Sequence, residues 1–351
     1  MNNQYKYTVC IHCMTYNHKP YIWDALNGFA MQHTDFPYVA LVMDDASTDG
    51  EPEVLRQYIA EQCAAASLTT KDEELYELIE INAKDNPNCH FAFYFLKQNL
   101  FRTDKKKPII AEWDAQAKYI AECEGDDYWI DPYKLQKQVD YLEKHEECSI
   151  CFNRVKRVSK DKTILKGTMP NKSWTGNRII TLETFCKEAY LKIHWIVHTS
   201  SYCYRKEVRE EYIKLKEGLF VDFPYGDMPL VLTALLQGYG YCFDEIGSCY
   251  RVMSGGYNSD CTLHPEKRIA DERLLYKALL SFDQYTKLKY HKYISHRILW
   301  GEFGNEGGTW NLLLTKKYWP LIFSKIPIQI FLAKIRFSMP FIYTLYKKIK
   351  K

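Results

Sequence analysis

The segment YVALVM at residues 38–43 is continuously apolar and ends at two carboxylates, Asp44 and Asp45. A strand without a polar side must be covered on both faces, as the strands of parallel sheets are. Strand patterns alternate with helical patterns along this part of the chain, and further strands are predicted at 7–14, 90–96, 117–123 and 148–158. The alternation predicts an α/β fold with an open, mostly parallel sheet.

Polar loops follow three of these predicted strands. They read MTYN at 14–17, DDASTDG at 44–50 and EGDDYW at 124–129. In open α/β sheets, ligands bind at the carboxyl ends of the strands, so the three loops are expected to meet at one edge. Any one acidic loop alone is weak evidence, because turns are often acidic. Together they predict a binding site.

The third loop places Glu124, Asp126 and Asp127 within four positions. Carboxylates this close raise one another's cost of ionisation, so a positive partner is expected. Mg²⁺ or Mn²⁺ fits best, because these cations take oxygen ligands and share their coordination shell with substrate phosphates. The alternative is an acidic turn that caps the next helix, but Asp131 and Pro132 already supply that cap. We therefore favour a cation site.

Composition is that of a globular protein, with 46% apolar and 26% charged residues in 351 positions. The opening residues MNNQYKYTVCIHC show no signal-peptide pattern, so a reducing cytoplasm is expected. Two C-x-x-C pairs, Cys10/Cys13 and Cys148/Cys151, lie in predicted strands. Residues three apart in a strand point to opposite faces, so a zinc ion shared within either pair is disfavoured.

Beyond the sheet the pattern is less regular. Residues 61–88 are predicted to be an insertion containing a solvated acidic helix, and 264–303 are predicted to form two helices. The aromatic and histidine residues Trp174, His194, Trp195 and His198 suit either contact with a ligand or core packing. We predict a catalytic domain at 1–260, a helical appendage at 261–315 and a tail at 316–351.

The tail is electrostatically distinct. From Gly307 to Lys351 there are nine Lys or Arg residues and no Asp or Glu, set among apolar and aromatic residues. Pro327, Pro340 and the interspersed charges disfavour a transmembrane helix. A basic amphipathic segment in an anionic membrane interface suits this composition better, and the alternative is an element packed on the body of the protein. We expect a cytoplasmic protein peripherally attached to the inner face of the cell membrane.

The ordered motifs TYN, DDASTDG, EGDDYW, YGDMPL and YRV followed by a Gly-Gly pair resemble the family-2 glycosyltransferases of bacteria. The likeness covers residues 7–260 and is greatest for members that build surface polysaccharides. It implies the nucleotide-sugar-binding GT-A fold. It also implies inverting, metal-dependent transfer of a hexosyl or N-acetylhexosaminyl group from a UDP-sugar to a hydroxyl of a glycan or lipid-linked acceptor. No nucleic-acid partner is expected.

The resemblance also assigns residue roles. Asp44 and Asp45 would contact uracil and ribose, and Glu124 would face the ribose although the family has Asp there. The nucleotide pocket would be lined by Thr15, Tyr16 and Asn17. Asp126 would hold Mn²⁺ or Mg²⁺ with Asp127 beside it.

Asp227 in YGDMPL matches the catalytic base of the family, although an Asp at this place is also a good helix N-cap. Many relatives carry a histidine near positions 253–254, where this chain has Met253 and Ser254. If that histidine helps to hold the pyrophosphate or the metal, Arg251 is a candidate for the same role here. The pair Gly255-Gly256 suits either a flap over the donor or a simple turn.

Two other classes compete with a transferase. One is a nucleotidyltransferase or a glycoside hydrolase. A nucleotidyltransferase usually needs a basic, Gly-rich phosphate loop near the N-terminus, where this chain offers only His18 and Lys19. A glycoside hydrolase would need two facing carboxylates and no nucleotide site. A catalytically silent, membrane-associated protein that binds sugar nucleotides is the other. The presence of Asp126, Asp127 and Asp227 together speaks against it.

Overall fold

The computed structural model describes residues 5–101, 103–171, 176–192, 194–253, 265–305 and 315–322. Two compact units are present. The first comprises 1–182, 196–218 and 225–260, and the second comprises 183–195, 219–224 and 261–351. Trp174, Gly255-Gly256 and the tail beyond residue 322 lie outside the described residues.

The first unit contains a twelve-stranded sheet. Its strands are β1 Tyr7–Thr15, β2 Tyr38–Asp44, β3 Thr69–Asp72, β4 Tyr76–Asn82, β5 Cys89–Leu96, β6 Ala117–Glu122, β7 Tyr128–Trp129, β8 Cys148–Val158, β9 Ile164–Met169, β10 Arg178–Ile180, β11 Cys203–Arg205 and β12 Tyr239–Arg251. The α-helices of the chain are α1 Ile22–Ala30, α2 Glu51–Gln62, α3 Lys107–Ala115, α4 Lys134–Lys144, α5 Leu182–Cys186, α6 Lys206–Lys216, α7 Asp227–Gln237, α8 Pro265–Tyr285, α9 His291–Asn305 and α10 Trp319–Ile322.

The strand order is β10-β12-β8-β11-β6-β1-β2-β5-β4-β3. The central strands β6, β1, β2 and β5 run parallel, and β8 and β12 are also parallel to each other. All seven positions of β2 are buried, as its unbroken apolar sequence predicts. The α/β prediction is therefore confirmed, and strands that pair antiparallel extend the parallel centre on both sides.

The predicted acidic helix within 61–88 is wrong. This segment forms β3 and β4, and β4 pairs antiparallel with β5 along its whole length. Its apolar residues Leu78, Ile79 and Ile81 are buried against the sheet, whereas its glutamates are less buried. Burial beside the long aromatic strand β5 outweighs the helix preference of the glutamates, a tertiary effect that local sequence does not reveal.

The cysteine pairs behave differently from each other. Cys13 packs in the apolar core on one face of the sheet and Cys10 does not, as expected for residues three apart in a strand. Cys148 and Cys151, however, share that core, and their thiols interact. The register with β12 skips Ser149, so a bulge turns both side chains to the same face. The prediction of opposite faces is wrong for this pair.

The second unit contains the two helices predicted near the C-terminal end, α8 and α9. Tyr318 and Leu321, which begin the predicted tail, are buried against Phe303 of α9. The first residues of the tail are thus packed. Within the described parts of the chain, every helix is too short or too polar to cross a bilayer.

Candidate functional site

The ends of β1, β2 and β6 lie side by side in the sheet. Thr15 is paired with Asp44 across β1 and β2, and the N–H of Asp45 donates to the carbonyl of Thr15 at 3.0 Å. The N–H of Gly125 donates to the carbonyl of Met14 at 3.2 Å, which holds the loop after β6 against the end of β1. The predicted convergence of the three polar loops is therefore confirmed.

Glycine is required at position 125. A Cβ atom there would overlap the hydroxyl of Thr15 and touch Ile22 at 3.0 Å. The motif EGD therefore has its small central residue because two backbones approach closely, and the acidic side chains on either side are held beside β1.

The acid loop, residues 124–127, carries more negative charge than its surroundings neutralise. Burial, followed by the charges of Asp126 and Glu122, raises the pKa of Glu124 to about 7. Burial and the charges of Asp126 and Glu124 raise the pKa of Asp127 well above its usual value. A divalent cation would relieve this repulsion, so the donor set fits the predicted Mn²⁺ or Mg²⁺.

The carboxylates of the acid loop differ in how free they are. Asp127 is 2% exposed, and its Oδ1 accepts a hydrogen bond from the N–H of Arg251 at 2.8 Å. Glu124 accepts a 2.8 Å hydrogen bond from the hydroxyl of Thr199. Asp126 is half-buried, and no side chain among the described residues donates a hydrogen bond to its carboxylate. Asp126 is thus the carboxylate most available to a ligand.

Arg251 is a buried residue that packs against the acid loop and contacts its backbone. Its side chain is 0% exposed, with Nη2 2.9 Å from Asp24 Oδ2 and Nη1 donating to the carbonyl of Asp126 at 3.3 Å. The guanidinium lies over the rings of Tyr21 and Tyr128, at 4.6 and 5.1 Å from their centres. Because the buried side chain cannot contact a pyrophosphate, the suggestion that Arg251 holds one is wrong.

His198 lies beside Asp127, with Nδ1 3.6 Å from the Oδ2 atom of that carboxylate. Burial lowers the pKa of His198 to about 4, so the ring is neutral and its Nδ1 accepts from the N–H of Ser200. The ring also packs on Tyr250 at 4.3 Å. Sequence alone left this residue undecided between site and core. His194 and Trp195 belong to the second unit.

The loops after β1 and β2 are joined by a residue that the sequence analysis missed. Glu51, fully buried at the start of α2, accepts hydrogen bonds from the Thr15 hydroxyl, the His18 N–H and the Ser47 hydroxyl. Its position seven residues after Asp44 looks like an ordinary first-turn acid, which favours a helix N-terminus in any case. Only the fold reveals that it fixes Thr15.

Asn17 makes a second connection between these loops. Its φ of 57° is left-handed, a conformation that asparagine tolerates. Its N–H donates to the Ser47 hydroxyl and its side-chain oxygen accepts from the Thr48 N–H, both at 2.8 Å. The neighbouring Tyr16 is 44% exposed, which leaves its ring open to a ligand.

The two aspartates at the end of β2, Asp44 within the strand and Asp45 directly after it, have different environments. Burial raises the pKa of Asp44 to about 6, although hydrogen bonds from Ser47 oppose the shift. Asp45 accepts from the N–H of Leu100 at 2.6 Å and from Lys106 at 2.9 Å. Both oxygens of Asp45 therefore have protein partners, and this residue orders the loop after β5.

Asp227 is the first residue of α7. Its Oδ1 accepts a 2.8 Å hydrogen bond from the N–H of Met228, so it contributes to the start of the helix, and no described side chain donates a hydrogen bond to its Oδ2. Burial raises the pKa of Asp227, and the charge of Glu122 adds to the shift against the opposing hydrogen bond of Met228. Beyond the effect of burial, the charges of Asp227, Glu122 and Glu124 all raise the pKa of Tyr202, so Asp227 and Glu124 both lie within electrostatic range of that ring.

Structural comparison identifies the fold. Residues of this chain superpose on the Staphylococcus aureus TarS fragment 1–349 in complex with UDP-GlcNAc with a TM-score of 0.56, at 15% identity, covering 94% of this chain and 81% of that one. The mannosyltransferase PcManGT of Pyrobaculum calidifontis, in complex with GDP-Man and Mn²⁺, gives a TM-score of 0.50 at 14% identity and covers 96% and 88%. The chain has the GT-A fold.

Sequence comparison adds no function. No model of a known protein family matches the chain. The uncharacterized proteins Rv1520 of Mycobacterium tuberculosis and Mb1547 of Mycobacterium bovis are 31% identical over 185 residues, which is 53% of this chain. The match spans 45% of the length of these relatives.

Proposed function

We propose that this protein is an inverting, metal-dependent glycosyltransferase that moves a sugar from a UDP-sugar to a hydroxyl group. The observation that carries the proposal is the acid loop: Glu124, Asp126 and Asp127 meet the loops after β1 and β2 at the carboxyl edge of a GT-A sheet. Structures of proteins with this fold were solved in complex with UDP-GlcNAc and with GDP-Man and Mn²⁺. That supports a nucleotide sugar as the ligand of this edge.

On the donor side, Asp126 would hold Mn²⁺ or Mg²⁺, together with Asp127 through its Oδ2. The cation would supply charge neutralisation for the departing diphosphate, whose negative charge grows as the glycosidic bond breaks. Thr15, Tyr16 and Asn17 would line the nucleotide pocket on one side and Asp44 on the other. Asp45 would act by ordering the loop after β5, and Glu124 would accept a hydrogen bond from a ribose hydroxyl.

On the acceptor side, Asp227 would take the proton of the attacking hydroxyl with its Oδ2. Burial raises the pKa of Asp227, which makes it a better base than an exposed aspartate. A single base with in-line attack inverts the configuration at the anomeric carbon. The hydrogen bond from Met228 would orient the carboxylate during this step.

The acceptor class and the location rest on sequence. The motif order favours a hexosyl or N-acetylhexosaminyl transferase of family 2 that acts on a glycan or lipid-linked acceptor in surface polysaccharide synthesis. Nine basic residues without an acid between Gly307 and Lys351 favour attachment to an anionic membrane surface. We propose that the protein works at the cytoplasmic face of the cell membrane, where a lipid-linked acceptor would be within reach.

The deciding experiment measures release of nucleoside diphosphate. The purified chain is incubated with a panel of UDP- and GDP-sugars with Mn²⁺, with Mg²⁺ and with a chelator. We expect slow hydrolysis of one UDP-sugar that requires the cation, and faster release when a glycan acceptor is added. If no donor is cleaved and no nucleoside diphosphate raises the melting temperature, the proposal is wrong.

A further inference from the structure

A second group of metal-ligand residues lies away from the acid loop. Cys10 and His12 sit two apart on β1, on the face opposite Cys13, and Asp114 comes from α3. One ligand atom from each of the three lies within 4.8 Å of the other two. All three residues are buried, at 0%, 7% and 6% exposure. Strand and helix therefore bring a thiol, an imidazole and a carboxylate to one point.

We propose that Cys10, His12 and Asp114 form a zinc site. Thiolate and imidazole suit a borderline-soft metal, whereas the acid loop offers only oxygen atoms and suits Mn²⁺ or Mg²⁺. The thiolate and the carboxylate together balance the charge of Zn²⁺. Binding releases the Cys10 thiol proton, and the His12 ring proton that faces Asp114 moves from Nε2 to Nδ1, so that Nε2 is free to be the ligand.

The contacts around Asp114 support this assignment. Its Oδ1 lies 2.7 Å from His12 Nε2, and its Oδ2 lies 3.4 Å from Arg209 Nε. Neither Asp114 Oδ2 nor Arg209 Nε has a hydrogen-bond partner among the described residues, although both atoms are buried. A carboxylate that ligates a metal through one oxygen commonly pairs its other oxygen with an outer group, and Arg209 has that position.

Three protein ligands would leave the fourth position of a tetrahedral zinc ion to a water molecule, and the site would link elements of the fold. It joins the central strand β1 to α3, and through Arg209 to α6. Strand β1 carries Thr15 at its carboxyl end, so a zinc ion here would fix the strand from which the candidate active site is built. The site shares no residue with the proposed donor site, and the two metal requirements can therefore be tested separately.

The experiment starts from full-length protein that is unfolded under reducing conditions, stripped of metal with a chelator and refolded with Zn²⁺ or Co²⁺. We expect close to stoichiometric zinc after desalting, and a thiolate-to-cobalt charge-transfer absorption in the Co²⁺ form. Cys10→Ala should abolish that absorption. Cys13→Ala, which removes a buried thiol from the opposite face of the same strand, should retain it.

A graded variant tests the outer contact. Arg209→Met should weaken zinc binding about 10- to 100-fold, as the loss of outer-shell partners does elsewhere. Asp126→Asn should leave zinc content unchanged. The proposal is overturned if wild-type protein refolded with zinc holds none, a result that needs no variant to fold. It is also overturned if Cys10→Ala keeps the cobalt absorption; the three residues are then a hydrogen-bonded cluster alone.

Discussion

The N–H of Arg251 donates a 2.8 Å hydrogen bond to Oδ1 of Asp127, which joins the last residue of β12 to the acid loop. The two residues are 124 positions apart, and both are almost fully buried. Because only Asp127 makes this contact, the two adjacent carboxylates have different roles. Asp127 holds the loop in place, while Asp126 next to it presents a carboxylate that no described side chain binds.

Asp126→Asn therefore tests the cation site. The substitution removes a charge without changing shape, so it should abolish Mn²⁺-dependent UDP binding while the melting temperature of the apo protein stays close to that of wild type. Titration calorimetry with UDP, with and without Mn²⁺, measures the effect. The control is Asp85→Asn, an exposed residue in the turn before β5. Unchanged UDP affinity in the folded Asp126 variant would refute its role as a ligand.

Gly125→Ala tests the close approach of the acid loop to β1. A methyl group there would overlap the Thr15 hydroxyl, so the loop must move away and nucleotide binding should be lost. We expect destabilisation of about 1–3 kcal/mol, which is typical of overpacking. Gly218→Ala is the matched control, because its Cβ would meet no atom within 4 Å. Both variants can be measured by urea unfolding and UDP titration. Wild-type UDP affinity in the Gly125 variant would contradict the geometry.

Asp227→Asn separates a catalytic base from a helix cap. Asparagine can still accept the hydrogen bond from Met228 but cannot take a proton, so donor binding should persist while turnover falls about 10²-fold or more. Kinetics of UDP release with acceptor present provide the measurement. If turnover survives in Asp227→Asn, while Asp227→Ala lowers the free energy of unfolding by the ~1 kcal/mol that a lost cap costs, Asp227 serves the helix alone.

The raised pKa of Asp44 predicts that the stability of the fold depends on pH. Burial raises its pKa from 3.8 in the unfolded chain to about 6 in the fold. The folded state then binds the proton more tightly, so this contribution to stability is complete below pH 3.8 and is lost as pH rises through about 6. Asp44→Asn cannot ionise, so its melting temperature should rise relative to that of wild type as pH increases from about 4 to about 6, and the difference should then stay constant. If the melting temperatures of Asp44→Asn and wild type change in parallel across this range, the buried carboxylate is ruled out as the cause.

The parallel centre of the fold and the meeting of three polar loops were predictable because each rests on a local pattern. An unbroken apolar strand requires cover on both faces, and parallel strands end at a common edge. The strand β4 was not predictable, because its glutamates favour a helix until pairing with β5 decides the matter. The bulge at Ser149 and the role of Glu51 depend on contacts between distant segments, which spacing along the chain does not encode.

The tail provides the last test, and the structure changes how it should be made. Tyr318 and Leu321 are buried against Phe303, so truncation after Thr315 would expose part of the second unit. Truncation after Ile322 keeps this cluster and still removes seven of the nine basic residues that follow Gly307.

Each basic residue near an anionic leaflet contributes up to ~1 kcal/mol, and the aromatic residues among them add apolar burial. The full-length protein should therefore sediment with anionic vesicles at low salt and detach as salt rises, because screening weakens the charged part. The chain truncated after Ile322 should stay in solution yet hydrolyse donor at the full-length rate. Neutral vesicles serve as the control. The proposed membrane attachment is wrong if the full-length chain does not bind anionic vesicles at low salt. It is also wrong if the truncated chain loses its cooperative thermal transition, because the tail is then a structural element.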